Sequence, residues 1–177
     1  MARTPEPMDG VDERVRDDAA VWPEIDPIVE KIVSRIERLD RLIDRAAQVT
    51  LDRVGLTGEE FHVLLELRRG VRSHGALCRQ TMSSTGAMTN RLDKLERTGL
   101  VERRPDPNDR RGVLLELTAA GRERLDEYIT IQAARERELL GVLSEREKQD
   151  LQSLLRKLYI SLEAELGPPK KRPAHQG

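Results

Sequence analysis

The 177-residue chain has little cysteine, few aromatic rings and no apolar run of membrane length, and each shortage closes off a class of protein. Cys78 is the one cysteine, so an intrachain disulfide is impossible and a reducing, cytoplasmic setting is expected. The rings are Trp22, Phe61, Tyr128 and Tyr159, too few for an aromatic-rich β-sandwich or an RNA reader that stacks bases. No stretch approaches the roughly 20 apolar residues of a membrane span, and no apolar signal core begins the chain. Also missing are a G-x-S-x-G elbow, a phosphate-binding glycine loop and a Cys/His cluster of metal spacing. Neither an enzyme nor a metal cofactor is expected.

Net charge is nearly absent too, at −1, but this hides an uneven distribution. Residues 1–30 hold nine acids against three arginines, whereas residues 66–113 hold eleven Lys/Arg against six acids. A basic segment inside a neutral chain suits a polyanion-binding face, although a solvated charged surface gives the same count.

What the chain does have is helical periodicity. Residues 1–9 and 167–177, rich in proline and charge, are expected to be disordered. The spacing predicts N-terminal helices over 10–56: a short acidic one at 10–20, then one carrying Ile28, Ile32, Ile36, Leu39 and Ile43. Thr57-Gly58-Glu59-Glu60 has the form of a capping box and opens a helix that ends near Gly70. A short helix at 75–81 follows, and then one capped by Ser84 or Thr85, with Met88, Leu92 and Leu95 inward, stopping at Gly99. Residues 100–104 and 113–117 read as strands separated by the turn formers RPDPNDRRG. Helices over 119–166 close the chain, the second opening at the box Ser144-Glu145-Arg146-Glu147 and carrying a stripe from Leu151 to Leu162. The fold class is mainly α with a small β-wing: a winged helix-turn-helix over 57–118 flanked by N- and C-terminal dimerisation helices.

The helix over 84–98 suits a DNA groove on physical grounds. Ser84, Thr85, Ala87, Thr89 and Asn90 are small enough to enter a major groove, Asn can bond adenine bidentately, and Thr can meet a thymine methyl. Capping accounts for Ser84 or Thr85 but not for Thr89 and Asn90, which are poor helix formers placed mid-helix. Arg104 on the first strand and Arg110 and Arg111 at the hairpin tip are long cations within reach of phosphates or a minor groove.

Residues 77–121, LCRQTMSSTGAMTNRLDKLERTGLVERRPDPNDRRGVLLELTAAG, resemble the MarR family of bacterial transcriptional regulators, the string DPNDRRG followed by LTAAG most specifically. With LTGEEFHVLLELRRG upstream, the resemblance covers about residues 25–166. It implies a homodimer on pseudo-palindromic double-stranded DNA, repression relieved by a small molecule, and Asp109 orienting a wing arginine. The segment STGAMTNRLDKLE, with an N-terminal extension carrying Trp22, is similar to the branch of PecS, UrtR and TamR, which respond to urate or aconitate-type acids. The ligand residues of the urate-responsive members fall on Trp22, Arg91, Arg103 and residue 62, where this chain has His62 in place of an Asp. A more positive site favours a di- or tricarboxylate such as citrate or trans-aconitate over urate. Against this, Arg91 and Arg103 could simply pair with acids such as Asp93 and Glu102. Cys78 allows a thiol-redox reading, with a small buried hydrophobe as the plainer one. A DNA-free helical scaffold stays open as a further alternative.

Overall fold

The computed structural model describes residues 8–107 and 109–167, the side chains of 109–111 excepted. Most of the two ends expected to be disordered, and the side chains of Asp109, Arg110 and Arg111, therefore lie outside the described residues. The chain folds as two compact units, residues 1–49 and 50–177.

In the first unit, α1 (Gly10–Val21) starts at a reciprocal cap. The Asp9 carboxylate accepts from the backbone N–H of Val11 (2.8 Å) and Asp12 (3.0 Å), and the Asp12 carboxylate accepts from Asp9 N (3.2 Å). Val11 and Val15, one turn apart, are its buried residues. The helix is tied to α2 (Pro27–Val54) by charge: Lys31 meets Asp12 at 3.0 Å, Arg35 meets Asp9 at 3.1 Å and Asp12 at 2.8 Å, and Arg14 reaches Glu30 and Ser34. Pro27 takes the first helical position, where its missing N–H costs nothing, and Asp26 accepts from Ile28 N at 2.8 Å. The α2 stripe of Ile28, Ile32, Ile36, Leu39 and Ile43 remains exposed.

The second unit holds α3 (Gly58–Arg68), α4 (His74–Thr81), α5 (Thr85–Arg97), β1 (Val101–Asp106), β2 (Asp109–Leu117), α6 (Ala119–Leu139), a single 3-10 turn and α7 (Glu145–Leu166). Its core joins Val63, Leu64 and Leu67 of α3, Leu77 of α4, Met88, Leu92 and Leu95 of α5, Leu115 and Leu117 of β2, and Leu125 and Tyr128 of α6. Each such side chain, moved from water into this interior, contributes on the order of 1.5–3 kcal/mol before the ordering entropy is counted. No residue of α7 is buried, although its cap at Ser144 and Glu147 is complete.

The mainly helical fold with a two-stranded wing agrees with the sequence reading, but the wing is longer than expected. The strands run through most of the segment read as turn, so that residues 107 and 108 alone separate them. Register explains this: Val101 pairs with Leu117 and Arg103 with Leu115, and the ladder continues through Pro105 opposite Val113 to Asp106 opposite Asp109, with an irregularity between Pro105 and Asp106. Pairing with a committed partner strand overrides the turn preference of the Pro-Asp-Asn composition. The wing is anchored on its other edge by Leu115 N, which donates to Arg72 O at 2.8 Å.

Its root is close-packed. Thr118 N donates to Leu100 O at 3.2 Å and Thr118 Oγ1 to Gly99 O at 2.6 Å, while Thr118 also caps α6 through Gly121 N at 3.0 Å. A Cβ at residue 121 would overlap the Leu100 carbonyl, so only glycine fits there. Met82, between α4 and α5, adopts φ 51° as the left-handed C-cap of α4.

Candidate nucleic-acid interface and effector residues

The α5 helix is built to show one face. Ser84 is its N-cap, accepting from Ala87 N at 3.3 Å, and Thr85 is its first helical residue. The cap uses a lone pair of the Ser84 hydroxyl and leaves its proton available to a partner. Met88 and Leu92 anchor the opposite face, which turns Thr85, Ala87, Thr89 and Asn90 to solvent. Asn90 makes no side-chain hydrogen bond among the described residues. An amide exposed in this way can present donor and acceptor together to a base edge.

Strand alternation sorts the wing arginines. Arg103 shares a face with the buried Val101 and turns toward α5, where it meets Asp93 at 2.5 Å and also binds Glu96. These carboxylates, Asp93 first, raise its pKa above the ordinary guanidinium value. Arg104 lies on the other face, pairing with Glu102 at 2.6 Å and lying 3.6 Å from Glu116, which also takes Arg72 at 2.7 Å. Arg103 thus has the acid partner the sequence suggested in Asp93, but Glu102 belongs to Arg104. Neighbouring strand residues point to opposite sides, so Glu102 and Arg103 cannot share a partner by proximity in sequence.

Of the residues carried over as effector ligands, Arg91 is the deepest, its side chain 11% exposed. It bonds Glu59 of α3 and Ser83 Oγ, the latter at 3.1 Å. Among the described residues Arg91 and Arg103 share no ion-pair partner: one is held by α3, the other by α5. His62 is exposed on α3, its Nδ1 donating to Gly58 O at 2.6 Å and its ring edge-on to Phe61. Trp22 caps the C-terminus of α1 in the first unit, with its backbone N–H on Asp18 O at 2.9 Å and its side chain exposed.

Two features were not singled out from the sequence. The first is a clamp between α3 and α5, in which Glu60 accepts from Lys94 Nζ at 2.6 Å and from Thr57 N at 2.8 Å. Burial pushes the Glu60 carboxyl up, but the Lys94 ammonium and the Thr57 N–H outweigh it and hold the group below its ordinary value. The capping box gave away the Thr57 bond and nothing gave away Lys94. The second is the contact from His74 to α5. The i, i+4 spacing of His74 and Cys78 is visible in the sequence as one that could seat a metal given a third ligand, and His74 Nδ1 lies 3.6 Å from Cys78 Sγ. Nothing there points to Thr89, whose Oγ1 lies 3.1 Å from His74 Nε2. Cys78 is partly buried against the core, and no three-residue metal-ligand group occurs among the described residues. No helix among them is long and apolar enough to cross a membrane.

Known proteins share this fold. The MarR-family profile matches residues 54–112. The chain is 31% identical over 137 residues to the HTH-type transcriptional regulator PecS of Dickeya dadantii, covering 75% of this chain and 82% of that one. The crystal structure of a cysteine-to-serine mutant of MarR from E. coli superposes with a TM-score of 0.60 at 31% identity, over 71% of this chain and 93% of that one. A point mutant of MepR from S. aureus, bound to an oligodeoxyribonucleotide, shares the fold at a TM-score of 0.62 and 23% identity, over 74% and 97% of the two chains. Extent of identity, coverage and a common winged-helix architecture coincide, and the chain belongs to the MarR family of transcriptional regulators.

Proposed function

We propose that this protein is a homodimeric repressor of pseudo-palindromic DNA that lets go when a small anionic metabolite binds. The observation that carries the DNA reading is α5: a groove-sized face of Ser84, Thr85, Ala87, Thr89 and Asn90, held rigid by buried Met88, Leu92 and Leu95. On this reading the helix of the module over 57–118 enters the major groove, while Arg104, Asp109, Arg110 and Arg111 are the wing residues expected to meet the backbone or the adjacent minor groove. The exposed apolar stripes of α2 and α7 are the surfaces a second copy would cover, with residues 119–166 as the C-terminal dimerisation segment.

Arg91 and Arg103 support an acidic effector. Both guanidiniums already hold carboxylates, so a ligand carrying two or three carboxylates offers the same chemistry and competes for them. Because Arg91 lies on the groove helix and Arg103 on the wing, rewiring either pair changes a DNA-reading element, which gives the ligand different affinity for the two states. His62 adds donor capacity in place of an acid, which favours citrate or trans-aconitate.

The test is a thermal-shift titration with citrate, trans-aconitate and urate at fixed ionic strength. Ligand at a hundredfold over its dissociation constant should add about 2.7 kcal/mol of stability. A shift with the tricarboxylates that Arg91→Ala abolishes supports the reading, and a shift with urate alone overturns the choice of ligand. Binding to duplex DNA should weaken steeply with salt, as phosphate contacts require.

A further inference from the structure

Thr89 is exposed on the outward face of α5, yet its hydroxyl is engaged twice inside the chain. The oxygen lies 3.0 Å from the Thr85 carbonyl one turn back and 3.1 Å from His74 Nε2, and His74 Nδ1 lies 3.6 Å from Cys78 Sγ. A neutral imidazole allows one protonation pattern here. The Thr85 carbonyl can only accept, so Thr89 gives it the hydroxyl proton. The Thr89 oxygen then accepts from His74, which puts the ring proton on Nε2 and leaves Nδ1 to accept from the Cys78 thiol. Three donors and three acceptors match end to end, from α4 into α5.

We propose that this relay makes position 89 a reader of methyl groups: Thr89 meets a thymine 5-methyl through its own methyl, and His74 is the positioning residue that keeps the hydroxyl turned away. A hydroxyl whose proton is given to its own helix cannot donate to a base acceptor or a phosphate. What the side chain offers a partner is its carbon end, and among the bases thymine alone presents an apolar group in the major groove. The inference rests on α5 entering that groove.

The test uses the full chain and in vitro selection from randomised duplexes, followed by replacement of each thymine in the selected site with deoxyuridine, which removes only the 5-methyl. One thymine per half-site should lose about fourfold in affinity on replacement, the value of withdrawing one methyl-sized apolar contact. Thr89→Val, which keeps the shape and drops the hydroxyl, should retain that sensitivity, and Thr89→Ser should lose it. His74→Ala should blunt it by freeing the hydroxyl, and adding Thr89→Val to His74→Ala should restore it, a rescue that a merely structural histidine would not show. Selection of a site with no deoxyuridine-sensitive thymine overturns this proposal alone. Equal losses in Thr89→Val and Thr89→Ser do the same, since the hydroxyl would then be in use. Failure to enrich any duplex overturns the DNA-binding reading and this inference with it.

Discussion

Helices α5 and α7 carry the same kind of apolar stripe and meet opposite fates. In α5 the stripe of Met88, Leu92 and Leu95 is buried in the core of its own unit, where α5 packs on α4 and the first wing strand. In α7 the stripe of Leu151, Leu154, Leu155, Leu158 and Leu162 is exposed throughout, although the helix is longer and equally well capped. A local pattern therefore fixes that a helix forms and which face is apolar, while the identity of the covering partner comes from elsewhere. For α5 the partner is within the chain; for α7 the second copy proposed above supplies it.

The largest expected effect tests that contrast directly. Leu92→Ala, at a site 1% exposed, should lower the free energy of urea unfolding by about 2–5 kcal/mol at any protein concentration. Leu158→Ala, at a site 45% exposed, should instead give a loss that grows on dilution, read as a concentration-dependent Tm. A Leu158→Ala deficit independent of concentration would mean that α7 is not covered by a second chain.

Next comes a pair of glycines. Gly121→Ala forces a methyl into the Leu100 carbonyl and should cost ~1–3 kcal/mol. Gly86→Ala, in α5 with open space around it, should stabilise by ~0.5–1 kcal/mol in the same melts. Opposite signs would show that the root of the wing is tightly packed while the outward face of α5 is not.

Lys94→Met removes the partner of buried Glu60 and should cost ~1–2 kcal/mol, kept modest because Lys94 is half exposed. Since the folded state holds Glu60 below its ordinary value of 4.5, its contribution is complete above that pH and is lost as pH falls through the lowered value. Acid-unfolding curves of Lys94→Met should accordingly begin at higher pH than those of the parent.

The smallest effect belongs to α1, whose ties to α2 are charges only partly shielded from solvent. Asp12 is held well below the usual carboxylate range by Lys31 first, then by the Asp9 N–H and Arg35. Its contribution is present above pH 3.8 and fades below it. Asp12→Asn should speed amide exchange across residues 10–21 at low salt, a difference that high salt should largely erase.

Much of the fold is legible in the sequence because its signals are local. The caps at Thr57, Ser84, Thr118 and Ser144 and the three-to-four spacing of Met88, Leu92 and Leu95 need no tertiary knowledge. The wing is less legible because Pro105 and Asp106 carry turn chemistry, and only pairing with Val113 and Asp109 makes them strand. Of the candidate site, the outward residues of α5 follow from periodicity. Their internal partners do not: His74 and Thr89 are fifteen residues apart and meet only where α4 crosses α5, and Lys94 finds Glu60 only because α5 packs beside α3. The partition of Glu102 and Arg103 between two faces becomes readable once 101–106 is known to be a strand.

The corner at Leu100 has a mechanical meaning. Within two peptide groups it receives the end of α5, the start of the wing and the first turn of α6, through the Thr118 bonds and the absence of a Cβ at Gly121. Such a joint has no slack. In a two-fold pair the pitch between the two reading helices is then set by rigid struts meeting at this vertex, much as the span of a caliper is set at its pivot. On the proposal above, a ligand that releases the operator would act by turning the whole strut rather than bending it, since a small rotation at the vertex grows with distance along each arm.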